Sequence, residues 1–147
     1  MNLEQLFDQN KENTIQGRYI TLENIKPLLE KESLKKEVTI IGESVLGKPI
    51  YSYQKGNGKT KIYLWSQMHG NESTTTKAIF DCLNFLKSNS EISQGFLSEF
   101  TFCIIPMLNP DGSQLYTREN YNKVDLNRDF KNLSQPESRL LQAVFDD

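Results

Sequence analysis

The sequence predicts an α/β fold: a mixed sheet with helices on both faces. Three observations carry this. Short β-branched and aromatic runs broken by turns fill residues 36–65. A helical apolar period follows, with Ile79, Cys82, Leu83 and Leu86 at i, i+3, i+4 and i+7. A continuous run, Phe100-Thr101-Phe102-Cys103-Ile104-Ile105, then reads as a strand buried on both faces. Strand, helix, strand in that order calls for helices laid against a sheet, and 147 residues suffice for one core.

In chain order, residues 1–34 read as a helical N-terminal arm without a catalytic part. Residues 3–7 make a turn or two. Thr21 caps a helix reaching Leu28, Leu29 and Lys31, and Pro27 places its regular start near Lys26. Strands are expected near 36–43, 49–55 and 60–65. The Gly56-Asn57-Gly58 turn makes them an antiparallel meander at a sheet edge. A polar loop, 66–73, leads to a helix over about 74–88 capped by Ser73 or Thr74. A polar segment precedes the 100–105 strand. Asn109-Pro110-Asp111-Gly112 is a turn, and Gln135-Pro136-Glu137 opens a last helix with Leu140, Leu141, Val144 and Phe145 on its apolar side. Loops 66–73 and 108–130 both follow strands. They are expected to meet at the edge of the sheet where ligands gather.

Composition narrows the function. Seventeen Lys and Arg against nineteen Asp and Glu give a net charge of −2. That balance argues against a nucleic-acid partner and supplies no polybasic membrane patch. No apolar run approaches the ~20 residues of a membrane span, and the first residues lack an apolar signal core. The expectation is a cytoplasmic protein. Two cysteines without close spacing exclude a disulfide framework or a cysteine zinc cluster. There is one histidine, His69, so a mechanism needing two cannot be completed by these residues alone.

Two segments hold the candidate chemistry. In His69-Gly70-Asn71-Glu72, an imidazole and a carboxylate three residues apart can reach one metal ion from a bent loop, with Gly70 letting the backbone turn. The alternative is a surface histidine engaged in hydrogen bonds. The second segment crowds Arg118, Asn120, Asp125, Asn127 and Arg128 within eleven positions. Arginine offers a planar fork suited to a carboxylate or an oxyanion. A metal beside a carboxylate clamp is what hydrolysis at a peptide terminus requires. Surface salt bridges are the plain alternative.

These segments together resemble the zinc metallocarboxypeptidases, the carboxypeptidase A-like M14 family. Residues 44–50 look like the family's strand-entry segment, with Lys48 where Arg is usual. His69–Glu72 matches its first zinc-ligand motif and 109–112 the turn after a central strand. Residues 118–130 match its R-x-N-x-x-G-V-D-L-N-R-N-F stretch, and Pro136-Glu137 a later Pro-Glu pair. The likeness covers roughly 36–145 and implies that 35–147 is the N-terminal portion of a catalytic domain. It implies His69 and Glu72 as ligands of one Zn²⁺, and Arg118 as the catalytic group polarising the scissile carbonyl. Asn127 and Arg128 would bind the substrate's terminal carboxylate, and Asp125 would hydrogen-bond the His69 nitrogen that the metal does not use. The implied partner is a peptide or other substrate with a free carboxylate.

Departures accompany the match. Lys123 stands where Gly is frequent, and Asp129 replaces Asn and sets a negative charge beside Arg128. The family's third zinc ligand, its general-base Glu and a substrate-contacting Tyr have no counterpart here. The expectation is a C-terminally incomplete domain that is inactive by itself. Two other readings stand beside it. One is an aspartoacylase or succinylglutamate desuccinylase-like zinc deacylase, which shares the H-G-N-E-like and D-L-N-R-x-F stretches. The other is a non-catalytic module that keeps the carboxylate clamp.

Overall fold

The computed structural model describes residues 2–146. Helix α1 (Leu3–Asn10) begins in a capping box, with Asn2 accepting from the Gln5 amide. Helix α2 (Leu22–Leu29) starts at Leu22 behind Thr21, not at Lys26. Pro27 sits inside it and forgoes one backbone bond, and the burial of Leu22, Ile25, Leu28 and Leu29 holds the helix regardless.

Strands β1 (Val38–Glu43), β2 (Pro49–Lys55), β3 (Thr60–Trp65) and β4 (Phe100–Ile105) form a mixed sheet in the order β1-β2-β4-β3. The three-strand meander is therefore corrected. β1 and β2 pair antiparallel, but β4 inserts between β2 and β3, antiparallel to β2 and parallel to β3. The cause lies in β4's sequence. Its last five residues are buried, and a strand apolar on both faces belongs in the middle of a sheet. The parallel β3–β4 pair is joined by helices α3 (Thr74–Lys87) and α4 (Glu91–Glu99). Helix α4 occupies the segment expected to be a polar connection. Ser90 caps it by accepting from the Ser93 amide, and it buries only Ser93 and Leu97, which left a weak apolar period.

Alternate strand residues serve two cores. Tyr51, Tyr53, Phe102 and Ile104 face one with α2 and α3 residues, including Ile25, Leu29, Ile79 and Leu83. Ile15 and Ile20 of the arm belong to this same core. Ile50 and Ile105 face the other, with Leu108, Leu126 and Leu141. Helices thus cover both faces, as expected. After β4 come α5 (Pro110–Leu115), where only a turn was expected, α6 (Leu126–Asp129) and α7 (Pro136–Asp146). Asn109 caps α5 by accepting from Gly112 N at 2.8 Å, so the Asn-Pro-Asp-Gly turn continues as a short helix.

Candidate functional site

The two polar loops meet beyond the carboxyl ends of the parallel strands β3 and β4. Leu108 N donates to Ser66 O at 2.9 Å and Asn109 N to Gln67 O at 3.0 Å, so the chain directions converge just past the sheet. The Asn109 amide donates to Met68 O at 3.2 Å. Gly70 lies against the backbone of Gly112: a Cβ on Gly70 would come within 2.0 Å of the Gly112 carbonyl carbon. The glycine therefore serves close approach between the loops rather than the turn that the sequence suggested.

Gln67, which no sequence signal marked, locks this junction. It is buried at a positive φ of 44°. Its amide donates to Gly70 O at 2.8 Å and to Ile20 O at 3.0 Å, and its side-chain oxygen accepts from Thr76 at 2.7 Å.

Four charged or titratable groups meet on this frame. His69 is largely buried, its side chain 13% exposed, while Glu72 is 61% exposed. His69 Nε2 lies 3.2 Å from Asp125 Oδ1, and His69 Nδ1 lies 3.2 Å from Glu72 Oε2. The Arg118 guanidinium bridges the two carboxylates, with Nε to Asp125 Oδ2 at 3.0 Å and a terminal nitrogen to Glu72 Oε1 at 3.2 Å. Asp125 also caps α6, accepting from the amides of Asn127 at 3.0 Å and Arg128 at 3.4 Å. Burial pushes the Asp125 carboxyl up. The hydrogen bonds from Arg118 and His69 and the Arg118 charge outweigh it and hold the group below the usual aspartate value.

Asn127 is exposed and lines one hollow with His69 and Glu72. Arg128 follows it on α6, also exposed, and its side chain is not among those lining that hollow. Its backbone amide shares the Asp125 Oδ1 acceptor with His69. The Asp129 side chain turns inward. It accepts from the amides of Ser134 at 3.1 Å and Gln135 at 2.9 Å, and pairs with neither arginine among the described residues.

The donor set bears on a metal. If Nε2 carries the proton given to Asp125, the Nδ1 lone pair faces a carboxylate oxygen at 3.2 Å. Two acceptors so placed repel unless a proton or a cation lies between them. Two zinc ligands at about 2.0–2.1 Å and a tetrahedral angle stand about 3.4 Å apart, so a small ion fits the pair. Among the described residues, no three His, Cys, Asp or Glu side chains form a group able to hold an ion. The residues present fit two positions of a metal shell.

Comparison with known proteins bears on the family and the fold. The family model described as zinc carboxypeptidase, peptidase M14, matches residues 22–142. The chain belongs to the zinc carboxypeptidase family. It is 29% identical over 127 residues to carboxypeptidase SOL1 of Arabidopsis thaliana, covering 73% of this chain and 26% of that protein. It is 35% identical over 85 residues to gamma-D-glutamyl-L-diamino acid endopeptidase 1 of Lysinibacillus sphaericus, covering 52% and 22%. The chain thus spans about a quarter of the length of these curated relatives.

Solved structures share the fold. Thrombin activatable fibrinolysis inhibitor superposes with a TM-score of 0.73 at 18% identity, over 98% of this chain and 50% of that one. A metallo-carboxypeptidase from Burkholderia cenocepacia gives 0.71 at 18% identity, over 85% and 36%. No helix among the described residues is long and apolar enough to cross a membrane.

Proposed function

We propose that residues 35–147 supply the first part of a zinc carboxypeptidase site, with the 1–34 arm docked onto the same core. His69 Nδ1 and Glu72 are two ligands of one zinc ion. Asp125 holds the His69 ring in the tautomer that leaves Nδ1 free. Asn127 and Arg128 bind the terminal carboxylate of a peptide, and Arg118 donates to the carbonyl oxygen as charge develops on it. A bound zinc would supply Lewis acidity and an activated water. The observation that carries this reading is the convergence of His69 Nδ1 and Glu72 Oε2 at 3.2 Å, with Asp125 on the opposite ring nitrogen.

With one histidine in the sequence, the 147 residues provide no second imidazole to serve as a third zinc ligand and no positioned general base. A missing base alone costs about 10²–10⁴-fold in rate. We therefore expect negligible hydrolysis by this chain and zinc binding weaker than that of a complete site. The test is an assay with zinc, with and without chelator, on peptides bearing free or amidated C-termini and on an N-acyl amino acid. No chelator-sensitive release is expected. Robust cleavage of free-carboxylate peptides would show that another group completes the site, and preferential cleavage of the acyl amino acid would favour the deacylase reading.

A further inference from the structure

A second hollow, about 400 Å³, adjoins the one that holds His69 and Asn127. Glu72 and Thr75 line both hollows. Only the one holding His69 includes Asn127, and only the second includes Arg18, Asn71 and Tyr116. Arg18 belongs to the N-terminal arm and precedes the family match, which begins at residue 22. It is nonetheless held firmly. Lys77 donates to Gly17 O at 2.6 Å, Ser73 to Arg18 O at 2.7 Å and Gln67 to Ile20 O at 3.0 Å. Ile15 and Ile20 are buried on either side of this strap, and Tyr19 meets the Tyr116 ring at 4.3 Å.

The Arg18 guanidinium lies over the Tyr116 ring, 5.6 Å from its centroid, and makes no ion pair among the described residues. It is a positioned cation that no carboxylate pairs with among the described residues, although Glu72 lines the same hollow. Three neighbouring features favour an anionic, peptide-like occupant. Asn71, which lines the hollow, leaves its buried Oδ1 without a hydrogen-bond partner, an unmet acceptor whose complement is an N–H donor. The first turn of the 14-residue helix α3 carries no acidic residue, and Ser73 spends its hydroxyl on Arg18 O rather than on a cap, so the positive end of the helix adds to the field. The carboxylate of Glu72, which would repel an anion, shares Arg118 with Asp125 and would be drawn to the zinc in the site proposed above.

We propose that Arg18, Tyr116 and Asn71 form a subsite for an acidic residue of the peptide, on the far side of the scissile bond from its terminal carboxylate. The side assignment rests on the reading that Asn127 and Arg128 take that carboxylate. The arm is then a specificity element.

The test measures binding to the whole chain by NMR titration, using N-acetylated Glu-Glu-Ala and Gln-Gln-Ala, each with a free or amidated C-terminus. Wild type should bind the Glu peptide about fivefold more tightly than the Gln peptide, as expected for a partly exposed charge pair. Arg18→Gln should abolish that ratio with an unchanged thermal midpoint, and Arg18→Lys should keep most of it. A Glu/Gln ratio unaltered by Arg18→Gln, equal binding of both peptides by wild type, or binding of neither overturns the proposal. An Arg18-dependent charge preference with equal affinity for free and amidated termini supports the anion pocket and overturns the carboxypeptidase reading. A preference for free termini without charge discrimination does the reverse.

Discussion

The loop between β4 and α7 carries two polar clusters built from similar residue types, one on each of its sides. On the outer side, His69, Glu72, Arg118 and Asp125 form a cluster in which Arg118 is 44% and Glu72 61% exposed. On the inner side, Asp111, Asn120, Gln135 and Glu137 are all buried, Glu137 completely. Asn120 donates to Gln135 Oε1 at 2.9 Å and to Glu137 Oε2 at 3.1 Å, and its own oxygen accepts from the amides of Asn122 and Val124. Glu137 accepts from Val45 N at 3.2 Å and Asp111 from Leu46 N at 3.0 Å. Burial separates the roles. The inner groups bind backbone and one another, and so fix the loop that presents Arg118 and Asp125. In the outer group Asp125 is also tied to backbone, through the amides of Asn127 and Arg128, whereas Arg118 and Glu72 are held by side-chain pairs near solvent that a ligand could replace.

The largest contrast should come from truncating the inner cluster. Glu137→Ala strands Val45 N and one Asn120 donor in the interior, and should cost about 2–4 kcal/mol. Urea unfolding measures it, and a loss close to zero would remove the distinction between the clusters. Gly70→Ala should follow, at about 1–3 kcal/mol, because its Cβ meets the Gly112 backbone and no flexible side chain can yield. The same variant should separate Glu72 from Arg118, visible as chemical-shift changes at both.

The inner cluster should also answer to pH. Burial raises the Glu137 carboxyl above its ordinary value, opposed by hydrogen bonds from Asn120 and Val45 and assisted by the charge of Asp111. The folded state then holds this proton more tightly than the unfolded chain. Its contribution is present below the ordinary glutamate value, about 4.3, and is lost as pH rises through the raised one. Asp129 behaves oppositely. Burial raises it, but bonds from Ser134 and Gln135 outweigh that and hold it low. Its contribution is present above the ordinary aspartate value, about 3.9, and is lost as pH falls through the lowered one. Relative to wild type, Glu137→Gln should flatten the decline above about pH 4, and Asp129→Asn the decline below it. Unfolding midpoints from pH 3 to 7 test both signs.

Arg118→Gln should move stability least, by under about 1 kcal/mol, since its two ion pairs are solvent-accessible. A loss as large as that of Glu137→Ala would make Arg118 a structural residue.

Much of this was legible in the sequence. The burial of 100–105 followed from an unbroken apolar run, and the 74–87 helix from its period. The meeting of the two loops followed from their places after strands. What escaped depended on partners distant in sequence. The insertion of β4 between β2 and β3 is decided by which strand is buried on both faces, and the Gly56-Asn57-Gly58 turn suggested adjacency instead. Helix α4 buries too little to show a period. Gln67 and Arg18 act through backbone carbonyls 47 and 55 positions away from the groups that bind them, and no local pattern marks them. Asp129 looked like a charge beside Arg128, but its hydrogen bonds run to Ser134 and Gln135.

In the proposed site, His69 Nδ1 and Glu72 form one half of a zinc shell, with Asp125 on the other ring nitrogen. Because His69 is the single histidine, its ring nitrogens can be followed without ambiguity in a ¹⁵N-labelled chain titrated with zinc. Nε2 should stay protonated and Nδ1 should shift saturably with zinc, an effect greatly weakened in Glu72→Gln. A ring that ignores zinc, or one that binds it through Nε2, would contradict that site.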